Sequence, residues 1–442
     1  VANFVRLTYY LLSALRRVSW NKERLREYQN RRLRAVVRNA YHNVPFYHRL
    51  YKEAGVEPSD IMTVDDLKKL PIVDKTTLKR TPISDLVSNQ YNPRDLKTIS
   101  TGGSTGQPFS ICVNSREDAW RKSVYMRANI SCGQRPRDRW IALVEADQAK
   151  ETTGLQKRFG IFAQNIIPVA SDREAQLRIL EHSRPDILDG FSGMLWLIAK
   201  EMDHRGMNQL HPKIIFGTGE LFPESSRRYV ERVFGGPYHD QFGCTEMDRT
   251  AWQCPLQEGY HMDTDSAYMQ FVDDCGEEIA IGEEGEIVYT SLYAYAMPFI
   301  RYNVKDVGVP ISDECSCGRR LPLMKVLEGR SNSFLVLPND RLVAPMSFIE
   351  ALQAFNFVKE IDRYKVVQDK KDSISILVKK TSKDVDEKGL ANALLSNIRV
   401  GLPKMAGVDI SEVNLEVKFV DDIPLTARGK LNVVVSNVRP RS

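Results

Sequence analysis

Residues 100–109 read STGGSTGQPF. Glycine costs backbone entropy, and hydroxyls contribute little to a core, so this run needs a reason. A bare linker is one. A loop whose amides and hydroxyls grip an anion is the other. The run is not a Walker phosphate loop, which needs four residues between its glycines and then Lys and Ser or Thr. Gly102 and Gly106 are one residue too close, Gln107 stands where the lysine belongs, and Pro108 has no N–H to donate. It can still cradle phosphate, because glycine lets the backbone approach an anion while Ser104 and Thr105 offer hydroxyl donors. By itself the stretch leaves both readings open.

The segments on either side narrow the choice. From about residue 96 to 330, short apolar runs (WIALVEA, DILDGF, KIIFGTGE, GEIVYT) alternate with helical stretches such as DREAQLRILEHS and GMLWLIAKEMDHRG. Strands alternating with helices predict α/β layering. Residues 258–312 read as more purely β, broken by glycine turns. Upstream, residues 20–55 carry apolar positions such as Leu33, Val36, Val37 and Tyr41 at helical spacing, with a break at Pro45 and an end near Gly55. Downstream, DRYKVVQDKKDSISILVKK predicts strand, turn and strand. DEKGLANALLSNIRVGL predicts a helix, and NLEVKFVDDIP a last strand. The expected organisation is an α/β fold in three parts. Residues 1–95 form the N-terminal helical part of a large domain, 96–329 its α/β core with a β-rich subdomain, and 330–442 a small α+β C-terminal domain.

Bulk properties exclude several classes. The 442 residues exceed one ordinary core. An apolar content of 42% with 27% charged residues is that of a globular chain, not a disordered or collagenous one. No run of 18 apolar residues predicts a membrane span. Nothing at the N-terminus has a signal-peptide layout. Seven cysteines in a chain this long predict cytosolic thiols or a metal site, not a disulfide scaffold. A net charge of +5 is too mild to call for nucleic acid. That charge is uneven, however. The first 50 residues hold eleven Lys or Arg, among them Arg6, Arg16, Arg17 and Arg24, against Glu23 and Glu27. Such a run is ordinarily a solvated face. The segment FVRLTYYLLSALRRVSW also suits a basic amphipathic helix on anionic lipid, so the expected location is cytoplasmic with peripheral contact at the inner membrane face.

Further motifs follow in order: QFGCTE at 241–246, RYNVKD at 301–306 after the GEIVYT strand, GRS at 329–331, and PLTARGK at 424–430. A Gly-Ser-Thr loop, an aromatic-Gly-x-Thr-Glu turn, a GExGEIVxT…RY…D segment, GRS and a terminal TxxGK resemble the adenylate-forming superfamily. That superfamily holds acyl-CoA synthetases, luciferases and the adenylation domains of peptide synthetases. AYHNVPFYHRLYKEAG with DLKKLPIVDK is similar to the branch of phenylacetate–CoA ligase, coenzyme F390 synthetase and CapK-type capsule proteins.

The resemblance implies a ligase that activates a carboxylate with ATP as acyl-AMP and hands the acyl group to an acceptor. It implies that Thr101, Gly102, Gly103, Ser104, Thr105 and Gly106 hold the β- and γ-phosphates, and that Phe242, followed by Gly243, stacks on adenine. Thr245 would donate to the α-phosphate and Glu246 would ligate Mg²⁺. Asp306 would accept from the ribose hydroxyls with Arg330 nearby, and Gly219 and Glu220 would line the nucleotide pocket. Lys430, on a mobile C-terminal domain, would offset charge where carboxylate and α-phosphate meet. Phe191, Ser192, Tyr238 and His239 are acyl-pocket candidates. The substrate is a small-molecule or glycan carboxylate, and the acceptor is CoA or, as in CapK, an amine. A nucleotide-binding protein without catalysis is the third reading. Two positions depart from the family pattern. Gln107 replaces the usual loop lysine, and Asn332 and Ser333 replace two acidic hinge residues.

A metal site stands apart from this chemistry. Cys254 precedes His261 by seven residues, and Cys315 and Cys317 are two apart before a glycine. Three thiolates and an imidazole suit tetrahedral structural zinc.

Overall fold

Asn21 starts the longest N-terminal helix by accepting a hydrogen bond from the Arg24 amide at 3.1 Å. This helix, α2 (Lys22–Asn43), follows α1 (Ala2–Arg17) and buries Leu25, Leu33, Val36, Val37 and Ala40 on one face. It stops at Val44 because a residue before proline is pushed out of the helical region, and Val44 sits at φ −119° and ψ 107°. Pro45 then opens the next helix, Pro45–Glu53. Beyond it, Gly55 takes a left-handed φ of +66°. The predicted break and end both fall where the sequence places them. The computed structural model describes residues 2–100, 109–144, 152–220, 222–312, 314–330, 334–425 and 433–438.

The chain forms two compact units. The first takes residues 1–140, 147–165 and 239–326. Its strands run in the order Ala267–Val272, Gly285–Ser291, Tyr302–Ile311, Leu323–Arg330, Tyr260–Met262, Asp248–Gln253 and Tyr238–Cys244. Val73–Asp74 adds in parallel beside Tyr302 and Asn303. Tyr47 and Tyr51 pack with Met262, Phe271, Tyr289 and Phe299 in one core. The helix Ser115–Ser131 begins with a reciprocal cap. Asn114 accepts from the Glu117 amide, and the Glu117 carboxylate accepts from the Asn114 amide, each at 3.0 Å.

This unit also buries five charges together. Arg127 is fully buried and donates to Asp263 at 2.5 Å and to both oxygens of Asp265 at 2.8 Å. Arg17 reaches Asp265 at 2.5 Å, and Arg249 reaches Asp263 at 3.1 Å. The Arg17 contact pins the end of α1, since α1 carries Arg17 and the helix Ser115–Ser131 carries Arg127.

The second unit takes residues 141–146, 166–238 and 327–442. Strands Ile187–Phe191 and Ile214–Thr218 pair in parallel, with the helix Ser192–His204 between them in sequence. Every residue of Ile187–Phe191 is buried, as expected of a parallel strand covered on both faces. A four-stranded sheet runs Asn414–Phe419, Ser373–Lys380, Ile361–Lys370 and Val434–Ser436. The helices Pro345–Leu352 and Glu387–Ala406 share its core through Phe348, Leu394 and Ile398. Asn414–Phe419 is not the last strand, as the sequence suggested. Val434–Ser436 follows and pairs in parallel with Val366, Val367 and Gln368. Three residues are too few to show a period, and only the partner strand makes them a strand. The mixed α/β class is the one read from the sequence.

Candidate active site and metal centre

The turn predicted to meet nucleotide joins the antiparallel strands Tyr238–Cys244 and Asp248–Gln253. Gly243 is required there, because a Cβ would fall 2.1 Å from the Asp248 carbonyl oxygen. Two guanidinium nitrogens of Arg121 donate to the carbonyls of Thr245 and Glu246, both at 2.7 Å, and fix the turn. Phe242 is half-buried against the core just ahead of it.

Glu246 is only 4% exposed. Its Oε1 accepts from Lys75 Nζ at 3.0 Å and from the Tyr302 hydroxyl at 2.9 Å. Burial opposes ionisation. The Lys75 ammonium outweighs it, helped by hydrogen bonds, and holds the carboxyl below the ordinary glutamate range. One strand pairing delivers both partners. Val73 and Asp74 pair with Tyr302 and Asn303, and Asp74 then caps the helix Lys75–Arg80 through the Thr77 amide at 2.7 Å. The pairing that seats Tyr302 therefore seats Lys75. A buried, ionised carboxylate is an oxygen donor of the kind Mg²⁺ takes alongside phosphates and waters, so Glu246 fits that ion.

Asp306 sits on a bulge. Between the pairs Val288–Asn303 and Glu286–Val307, one strand has a single residue and the other has three. Lys305 takes up the distortion at φ +67°. Asp306 belongs to the Glu246 neighbourhood. Burial first, then Glu246 and Asp306 among others, push the Cys244 thiol well above its ordinary pKa.

In the second unit, Gly219 turns the chain at φ +82°, and Glu220 accepts from the Gly193 amide at 2.6 Å. Gly193 lies in the first turn of the helix Ser192–His204, whose preceding residue Phe191 makes no side-chain cap, so Glu220 caps that helix from outside. The Tyr238 hydroxyl meets Ser192 Oγ at 2.8 Å. Gly217 leaves room for it, since a Cβ there would lie 1.6 Å from that hydroxyl. His239, in the first unit, is buried, and burial pulls its pKa down to about 4. Thr101, Gly102, Gly103, Ser104, Thr105, Gly106, Asn332, Ser333 and Lys430 lie outside the described residues, as does the side chain of Arg330. Lys75, Arg121 and the partner role of Tyr302 escaped the sequence reading. The only local signal was the Asp74 cap before Lys75.

The metal ligands proposed from the sequence come together within the first unit. Donor atoms of Cys254, His261, Cys315 and Cys317 all lie within 4.8 Å of one another. Cys254 Sγ is 3.6 Å from Cys315 Sγ, and Cys317 Sγ is 3.3 Å from His261 Nε2. Tetrahedral zinc with Zn–S of about 2.3 Å sets its ligand atoms about 3.8 Å apart, so the donor set fits zinc in number, kind and spacing. The antiparallel pairing of Tyr260 with Gln253 brings His261 beside Cys254, and Gly318 at φ +79° turns the chain after Cys317. Burial pulls the His261 pKa down to about 4, which leaves a neutral imidazole able to ligate.

No protein-family model matches the chain. It is 27% identical over 328 residues to a phenylacetate–coenzyme A ligase of Thermus thermophilus, covering 72% of each chain. It is 25% identical over 327 residues to a phenylacetate–coenzyme A ligase of Escherichia coli, covering 71% of this chain and 73% of the relative. Among solved structures, 2-hydroxyisobutyryl-CoA ligase in the postadenylation state superposes with a TM-score of 0.79 at 20% identity. That match covers 96% of this chain and 91% of the other. An anthranilate CoA ligase superposes with a TM-score of 0.60 at 15% identity, covering 91% and 79%. Over some 72% of its length the chain is thus similar in sequence to phenylacetate–coenzyme A ligases, and it shares the fold of acyl-CoA ligases.

Proposed function

We propose that this chain is an ATP-dependent acid–CoA ligase acting through an acyl-adenylate. The observation that carries this reading is the buried Glu246 carboxylate, kept ionised by Lys75 and aimed by a turn that Arg121 holds at both carbonyls. A fixed, dry carboxylate beside an ammonium suits the management of phosphate charge, where positioning and electrostatics supply most of the rate. Phe242 offers a ring face to adenine, Thr245 a hydroxyl to the α-phosphate, and Asp306 an acceptor to ribose. Glu246 would hold Mg²⁺, which neutralises phosphate charge when bound. Residues 101–106 would hold the outer phosphates. Lys75 offers a positive charge beside Glu246, while the glycine-loop sequence, with Gln107, carries no lysine. Lys430 would arrive on the C-terminal domain as the carboxylate attacks the α-phosphorus and pyrophosphate leaves. The thiol of CoA would then take the acyl group, and AMP would leave.

The test is a pyrophosphate-release screen over arylacetic acids, other aryl acids, uronic acids and amino acids, with and without CoA. The expected result is ATP- and acid-dependent pyrophosphate release, with AMP release accelerated by CoA. Acceleration by an amine alone would replace the CoA reading with a CapK-like amide ligase acting on a glycan or other carboxylate. ATP binding without pyrophosphate release from any acid would sink both and leave a non-catalytic nucleotide binder.

For the second site we propose structural zinc on Cys254, His261, Cys315 and Cys317, with all four positions filled by protein and none left for substrate. Elemental analysis of untagged protein should give one zinc per chain, with Cys317→Ser and His261→Ala each losing most of it. Metal-free wild-type protein at full activity would refute the assignment.

A further inference from the structure

Helix α1 is apolar on two sides. Its inner side is docked. Ala14 is fully buried, Ser123 Oγ donates to the Leu7 carbonyl at 3.0 Å, and Tyr10 meets Trp120 edge-on at 5.5 Å. Its outer side carries Val5, Tyr9 and Leu12, exposed by 60%, 67% and 52%. Arg16 follows on the same stripe, since positions 5, 9, 12 and 16 share one helical face. The helix contains no acidic residue.

A groove of about 870 Å³ opens beside that stripe, between the second half of α1, the turn into α2 and Arg320. Tyr9, Leu12 and Trp20 give it apolar wall, and Arg16, Arg24 and Arg320 give it three guanidinium groups. The rest of its lining is Ser and Asn, with no carboxylate. Arg24 lies over the Trp20 ring at 4.2 Å. Arg320 is held in place from the backbone, its amide donating to the Val18 carbonyl at 2.7 Å. Arg17, by contrast, is buried on Asp265 and belongs to the interior.

We propose that this face rests on an anionic phospholipid surface. The three arginines take headgroup phosphates, and Val5, Tyr9 and Leu12 enter the boundary between headgroups and acyl chains. An acidic glycan or a nucleic acid would use the arginines and aromatic faces but has no use for exposed Val5 and Leu12, whereas a membrane interface uses all of them. Among the described residues no helix is long and apolar enough to cross a membrane, so the contact is peripheral.

The test is co-sedimentation of the full chain with vesicles of phosphatidylcholine, with and without about 30% phosphatidylserine, at low and high salt. The serine-lipid vesicles should capture the chain in a salt-sensitive way, and pure phosphatidylcholine should not. Arg16→Glu/Arg24→Glu/Arg320→Glu should weaken capture at least roughly hundredfold, at about fivefold per arginine lost near an anionic surface. Val5→Ser/Tyr9→Ser/Leu12→Ser should weaken it at unchanged charge, with circular dichroism and pyrophosphate release unaltered. Equal capture by both vesicle types, or capture indifferent to the arginine variant, would overturn the proposal. Binding to a soluble acidic polysaccharide that needs the arginines but not the apolar stripe would overturn it too.

Discussion

Lys430→Ala is expected to slow acid-dependent pyrophosphate release by about 10²- to 10³-fold while ATP binding persists. The reaction joins two anions, a carboxylate and the α-phosphate. A single ammonium placed where their charge concentrates acts in the transition state more than on bound ATP. Removing one such preorganised group costs about that much in rate. The chain a few residues further on is anchored in the C-terminal sheet. Val434 pairs in register with Val366, and the Val366 amide donates to the Val433 carbonyl at 2.7 Å. Lys430→Arg should not restore the rate, because a planar fork does not replace a compact point charge. The readouts are single-turnover pyrophosphate release and, separately, nucleotide affinity by calorimetry. Unchanged release with a confirmed acid would take Lys430 out of the reaction.

Arg127→Met is expected to cost the first unit about 3–5 kcal/mol, the usual price of leaving a buried charge without its partner. Arg127 meets Asp263 and Asp265 together, so its loss leaves two buried carboxylates with one arginine each. Urea unfolding followed by tryptophan fluorescence should show the drop, since Trp120 and Trp252 lie in the same unit and Trp252 Nε1 donates to Asp263 at 3.0 Å. The cluster also fixes an acid limit. Burial alone would raise the Asp265 pKa, but Arg127 and Arg17 outweigh it and hold the carboxyl well below its ordinary value of 3.8. A carboxyl that titrates lower folded than unfolded contributes stability that is complete above the ordinary value and is lost as pH falls below it. In Arg127→Met less of that linked stability exists to be lost, and because total stability is lower the acid-unfolding midpoint should move to higher pH. A variant with wild-type urea midpoint and acid transition would show that the cluster contributes nothing to stability.

Much of the architecture was legible because it is local. The apolar period of residues 22–43 and the proline after it give a helix and its end from sterics alone. The alternation in Ile361–Lys370 and Ser373–Lys380 gives a hairpin in the same way. The C-x-C-G turn and the Cys–His spacing pointed to the cluster of Cys254, His261, Cys315 and Cys317, because short spacing constrains donor geometry whatever the fold. The turn holding Thr245 and Glu246 could be located from its order among the other motifs. Its condition could not be read, since nothing local says whether a Thr-Glu turn is a solvated corner or a buried carboxylate.

Tertiary pairing decided that question. Two residues of strand, Val73 and Asp74, bring Lys75 to Glu246, and a helix from another part of the chain brings Arg121 to the same turn. The bulge that carries Asp306 exists only because two strands pair out of step. The basic N-terminus is divided the same way: identical side chains become an interior ion pair at Arg17 and an open groove at Arg16 and Arg24. Periodicity, caps and turns depend on neighbours within a few residues, so the sequence alone determines them. Charge pairing and burial depend on which distant segment arrives, and only the folded chain specifies that.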